Sequence, residues 1–117
     1  MDVYLIVGAE GSGKTTLLND YFNDLLKNGA VRNNTVSLGG SDFYYELSYH
    51  NKKVLINTQG DTVKHLNFIF SKYYNFDVLI TAVRDTKLQA KTFKLNGKRK
   101  ILNMPQVVNS LKQNISI

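Results

Sequence analysis

Cysteine is absent from this 117-residue chain, so neither a disulfide framework nor a thiolate metal site can form. Histidine is scarce: His50 and His65 are too few for a histidine-built metal site without carboxylate help. No apolar run approaches the roughly 20 residues that span a bilayer, so no membrane partner is expected. Asp2 stands where a secretory leader would carry positive charge, and the apolar run behind it ends at Gly8. The expected address is therefore the cytoplasm. Internal repeats and linker-like stretches are also missing, so one domain over residues 1–117 is expected. Acid is missing from the last part of the chain. After Asp85 there is none, against seven bases: Lys87, Lys91, Lys94, Lys98, Arg99, Lys100 and Lys112. Residues 1–50 lean the other way, with six acids against three bases, Lys14, Lys27 and Arg32. The net charge of +6 is thus one-sided. Such a field favours anionic partners, nucleotide phosphates or nucleic acid, with a solvated basic face as the plain alternative.

Enough apolar material is present, at 43% with seven Tyr and six Phe, to build a core. Val3 to Val7 is a short apolar run ending in Gly8, which reads as a buried parallel strand. From Lys14 onward, Leu17, Leu18, Tyr21, Phe22, Leu25 and Leu26 mark one face of an amphipathic helix, with Gly29 placed as its C-terminal cap. Residues 42–49 and 52–58 are β-prone and joined around His50-Asn51, a hairpin pattern whose second arm contains an interior strand over 53–57. A helix is expected over 62–74, burying Val63, Leu66, Ile69, Phe70 and Tyr73, and a buried strand over 76–83. A last strand over 98–103 and a closing helix over 106–113, after Pro105, complete the reading. Strands alternating with helices predict an α/β sandwich on a mainly parallel sheet, to which the hairpin adds an antiparallel part.

The most specific chemistry lies at the first turn. Gly8-Ala9-Glu10-Gly11-Ser12-Gly13-Lys14-Thr15 fits G-x-x-x-x-G-K-[ST] at every fixed position. Its glycines permit backbone conformations closed to other residues and let the chain approach phosphate oxygens. Successive N–H groups make an anion-binding concavity at the positive end of a helix, extending through Thr16. Lys14 would reach the β- and γ-phosphates, and the Thr15 hydroxyl suits Mg²⁺, a hard ion that prefers oxygen. The strand before this loop and the helix after it set it apart from a chance glycine-rich turn.

Residues 5–19 resemble the P-loop NTPase superfamily, and are particularly similar to the metallochaperone-type GTPase branch with its G-S-G-K-T-T-L-L run. Residues 54–61, Val-Leu-Ile-Asn-Thr-Gln-Gly-Asp, resemble the strand-plus-glycine switch of such proteins. The whole chain is similar to small bacterial P-loop proteins in which a T-x-G-D-like turn precedes a D-V-L-I-T-A-x-R strand, here residues 77–84. The resemblance implies a three-layer P-loop NTPase-like sandwich. It implies that Asn57 stands in the place of the metal-orienting acid and that Gly60 is the switch glycine. Asp61 or Asp42 is left to supply the missing carboxylate. No guanine-reading N-K-x-D motif is present, and Thr81-Ala82-Val83-Arg84 stands where it would begin, so ATP is favoured over GTP. The cysteine metal motif of the metallochaperones is missing, which speaks against metal delivery.

The remaining candidates each carry two readings. Asp61 is either a Mg²⁺-water ligand or general base, or the N-cap of the helix beginning near Thr62. Gln59 reads as a turn residue before a water-orienting one. Arg84, at the C-terminal end of an apolar strand, either stabilises transferring phosphate or pairs with Asp85. Glu10 belongs to the loop lining or is simply solvated, and His65 reads as a structural or surface histidine. The expected catalytic set is Lys14, Asp61 and Arg84, and the metal set is Thr15, Asp42 and Asn57. The expected function is Mg²⁺-dependent binding and slow hydrolysis of a nucleoside triphosphate, as a switch. A phosphotransferase with residues 84–99 as lid is one alternative. The other is a non-hydrolysing module on nucleic acid, through Lys98-Arg99-Lys100 and Phe93. The chain is short for a complete NTPase, which leaves room for a partner subunit to finish the site.

Overall fold

Gly8 interrupts the chain's first apolar run, and strand β1 (Asp2–Val7) stops just before it. The computed structural model describes residues 1–84, 99–107 and 111–117. After β1 come α1 (Lys14–Lys27), β2 (Val31–Gly39), β3 (Asp42–Tyr49), β4 (Lys52–Asn57), α2 (Val63–Lys72), β5 (Val78–Val83) and β6 (Arg99–Asn103). Two four-residue helical turns follow, α3 (Met104–Val107) and α4 (Leu111–Asn114).

The six strands form one sheet in the order β2-β3-β4-β5-β1-β6. This corrects the expectation of a three-layer P-loop NTPase-like sandwich on a mainly parallel sheet. The sheet is mixed: β2, β3 and β4 run antiparallel to one another as a continuous meander, and β4, β5, β1 and β6 pair in parallel. The described helices are few, with two of more than one turn. The physical reason lies in the connections. Two residues separate β2 from β3 and β3 from β4, and so short a link can only return the chain antiparallel. His50 and Asn51 between β3 and β4 both have positive φ, 50° and 61°, the backbone of a type I′ turn. The hairpin is therefore no appendage, since β3 and β4 both lie inside the sheet.

Strand β2 has no counterpart in the sequence expectation. It is the sheet edge, mostly exposed, with an Asn33-Asn34 pair and register irregularities that hide any two-residue alternation. The closing helix also differs. Helical backbone begins at Met104, ahead of Pro105, a residue well suited to a first helical turn. Residues 108–110 of the expected helix lie outside the described residues.

Side chains alternate across the sheet, which explains why the central strands read as unbroken apolar runs. Ile6, Ile56, Ile80 and Ala82 face α1, together with Met104, Val107 and Leu111. Leu5, Val7, Leu55, Leu79 and Val83 face Leu66, Ile69 and Tyr73 of the α2 segment. All six residues of β5 are buried. Helix α1 closes as its sequence implies. Gly29 takes φ 101°, its N–H bonds to Leu26 O, and Ala30 N bonds to Leu25 O at 2.9 Å, the paired bonds of a Schellman motif.

Candidate functional site

The loop after β1 is held from below. Gly8 N donates to Val83 O of β5 at 3.1 Å. A side chain at Gly8 would run into Ser12 Oγ and Met104, so close packing demands glycine there. Gly11 and Gly13 take φ of 76° and 91°, the left-handed region that glycine enters freely. Gly13 is the N-cap of α1 and offers no side-chain cap. The first-turn N–H groups of α1, which have no intrahelical acceptors, therefore sit beside the loop at the positive end of the helix.

Above this loop lies a cavity of about 340 Å³. Glu10, Gly11, Ser12, Gly13, Lys14, Thr15 and Thr16 line one side of it. Asp42, Thr58 and Asp61 line the other, brought there by the start of β3 and the turn after β4. Lys14 is 7% exposed, and its Nζ donates back to the carbonyls of Gly8 at 2.5 Å and Ala9 at 2.9 Å. Burial holds its pKa below the usual lysine value. The charge of Arg84 acts in the same direction, while Asp61, Glu10 and Asp42 oppose it. Thr15 Oγ1 donates to Asp42 Oδ1 at 2.9 Å. Thr58 Oγ1 lies 3.3 Å from the same carboxylate oxygen, and Phe43 N donates to that hydroxyl at 2.8 Å. Two strand ends and the first turn of a helix thus meet at one carboxylate.

Two other expected site residues, Asn57 and Gly60, sit behind the cavity rather than in it. Asn57 is fully buried and does not line it. Its Nδ2 donates to Gln59 O at 2.6 Å and to Thr81 Oγ1 at 2.9 Å, and its Oδ1 lies 3.0 Å from His65 Nε2. With both polar atoms engaged inside the protein, it offers no ligand to a metal in the cavity. Gly60 is also buried, where a Cβ would strike the Ala82 carbonyl, and its own carbonyl accepts from Arg84 N at 3.0 Å. Arg84 directly follows β5, with an exposed side chain close enough to Lys14 for their charges to interact. Its expected partner Asp85 lies outside the described residues. Asp61 is not the cap of α2. That position belongs to Thr62, whose hydroxyl accepts from His65 N at 3.1 Å, and Asp61 is left exposed at the cavity wall.

His65, read from the sequence as a structural or surface histidine on the expected helix, takes the structural place, with a partner that the sequence did not name. It lies in the first turn of α2, half-buried, with its ring turned to the end of β4. Burial holds its pKa below the ordinary histidine value, with Asp42 and Asp61 opposing. The available signal was Thr81, a polar residue inside the apolar run of β5, because a hydroxyl at a fully buried strand position needs a partner.

Among the described residues no group of three or more His, Asp or Glu side chains could hold a metal ion, and no helix is long and apolar enough to cross a membrane. Of the basic stretch, Lys87, Lys91, Lys94 and Lys98, with Phe93, lie outside the described residues. Arg99 and Lys100 are exposed on β6, and Lys100 Nζ donates to Asn114 O at 3.1 Å. Compared with family models, with curated proteins and with solved structures, the chain matches none of them.

Proposed function

We propose that this protein binds a nucleoside triphosphate with Mg²⁺, ATP in preference to GTP, on the loop from Gly8 to Thr15, and hydrolyses it slowly as a switch. The convergence of Lys14 with the Thr15–Asp42 pair on one polar cavity carries this reading. A polyphosphate would take the ammonium of Lys14 from the carbonyls it now bonds, and the N–H groups of the uncapped helix end would face its oxygens. The donors present suit magnesium: a hydroxyl and a carboxylate, with phosphate and water filling the other positions. When bound, that ion would neutralise charge on the β- and γ-phosphate oxygens. Asp61 faces the same space as the candidate for orienting water, and Arg84 supplies positive charge nearby. The preference for ATP rests on the lack of a guanine-reading motif in the sequence. We place this work in the cytoplasm, where nucleotide and Mg²⁺ are both plentiful. Phosphate transfer to an acceptor depends on residues 84–99 as a lid, and contact with nucleic acid on Lys98-Arg99-Lys100 with Phe93; most of these lie outside the described residues, and the exposure of Arg99 and Lys100 alone favours neither.

Calorimetric titration with ATP and with GTP, each with and without Mg²⁺, tests the reading. Mg²⁺-dependent ATP binding that weakens about 10- to 100-fold in Lys14→Ala is expected, the worth of charge-assisted hydrogen bonds. No binding of either nucleotide, or an unchanged affinity in Lys14→Ala, would overturn it.

A further inference from the structure

Behind the cavity runs a chain of hydrogen bonds whose proton positions follow from its ends. Gln59 O is a carbonyl and only accepts, so the Asn57 atom 2.6 Å away must be the amide nitrogen. Thr81 Oγ1 donates to Ala82 O at 3.0 Å, which leaves its oxygen to accept from the same nitrogen. Asn57 Oδ1 therefore faces His65, and the Nε2 lying 3.0 Å from it must carry the proton. A carboxylate at position 57 would set an oxygen against the Gln59 carbonyl and remove the N–H that Thr81 accepts. The amide is thus the group this packing requires, rather than a weakened acid.

This chain ends on the turn that matters for the cavity. Residues 57–61 carry Thr58 to Asp42 and Asp61 to the cavity wall, while Gly60 lies tight against β5. Backbone pairing anchors the turn at Thr58 and Gly60. Between those anchors, the Gln59 carbonyl is held by Asn57, and Asn57 is held by α2 through a single side chain, His65. We propose that His65 is the positioning residue of this turn. Its Nε2–H bond, together with the Thr81 hydroxyl, sets the Asn57 amide, and the amide sets the Gln59 carbonyl between the two anchors, ahead of Asp61 at the cavity wall. The proposal rests on the nucleotide reading for its catalytic consequence, but its structural half stands without it.

The test compares His65→Ala with His65→Gln, whose amide nitrogen replaces the imidazole Nε2–H donor. In the nucleotide-free protein, hydrogen exchange of the Thr58 and Arg84 amides, whose bonds to Phe43 O and Gly60 O anchor the turn, is expected to quicken about tenfold in His65→Ala, the worth of one buried hydrogen bond, and to return near the wild-type rate in His65→Gln. With Mg²⁺·ATP, His65→Ala is expected to bind within about threefold of wild type yet turn over about tenfold more slowly, with His65→Gln again restoring the rate. Unchanged exchange in His65→Ala, or no rescue by His65→Gln, would overturn the positioning role. A wild-type protein that binds no nucleotide would overturn the nucleotide reading instead, and the exchange experiment would still decide His65.

Discussion

Thr15 Oγ1 donates to Asp42 Oδ1 across 2.9 Å, tying the first turn of α1 to the first residue of β3. The two residues are 27 apart in the chain, and no other acid lies in direct contact with Thr15 through a hydrogen bond that the described residues show. Asp42 also begins β3, an interior strand of the sheet that pairs with β4 through the hairpin. Asp42→Asn keeps an acceptor for Thr15 and removes the charge. The Mg²⁺ concentration needed for half-maximal ATP binding is expected to rise about tenfold or more, the scale of a charged hydrogen-bond partner lost. Magnesium titration at fixed ATP checks this, and an unchanged requirement would take Asp42 out of the metal site.

Asn57→Asp, which puts an acid in place of the buried amide, is expected to harm this protein. The new carboxylate would face the Gln59 carbonyl and leave Thr81 without its donor, in a fully buried place. A loss of about 3 kcal/mol is expected, from one repulsive contact and unsatisfied buried groups. Urea unfolding measures it. A variant as stable as wild type would show that the amide is dispensable.

Two glycines separate the effect of space from that of backbone. Gly60→Ala drives a methyl into the Ala82 carbonyl, and a cost of about 1–3 kcal/mol is expected from overpacking. Gly11→Ala meets no atom within 4 Å, but its φ of 76° lies in the left-handed region, so about 1 kcal/mol is expected. Thermal unfolding of the two variants should rank them in that order, and the reverse would mean that β5 yields to accommodate residue 60.

Stability should also fall with acid at His65. Burial depresses its folded pKa below the unfolded value of about 6.5, with Asp42 and Asp61 only partly opposing. A depressed value means that protonation favours the unfolded chain. The contribution is therefore complete above about pH 6.5 and is lost as pH falls through the folded value. Urea midpoints between pH 7.5 and 5 should drop less in His65→Gln, which does not titrate. Equal slopes in the two proteins would place the acid sensitivity at other groups.

Much of the local structure was legible because its causes are local. A strand, a glycine loop and an amphipathic helix follow one another where spacing and residue type place them, and the Schellman close at Gly29 needs only nearby residues. The turn at His50-Asn51 likewise lies between two β-prone runs. The cap of α2 shows the limit. Asp61 and Thr62 are adjacent and both suited to capping, so backbone geometry alone chose Thr62 and left Asp61 at the cavity. Strand β2 was hidden because an exposed edge has little need of an apolar pattern.

By itself the sequence determined which residues form the loop, which face of α1 is buried, and that the central strands are covered on both sides. These properties follow from side-chain period and backbone freedom within a few residues. Only the tertiary structure decided the mixed sheet order, the meeting of Asp42 with Thr15, and the use of Asn57 as a buried amide joined to His65 and Thr81. Each depends on groups brought together from distant parts of the chain. A buried polar atom takes its role from the partners packed around it, and no window of neighbouring residues contains them.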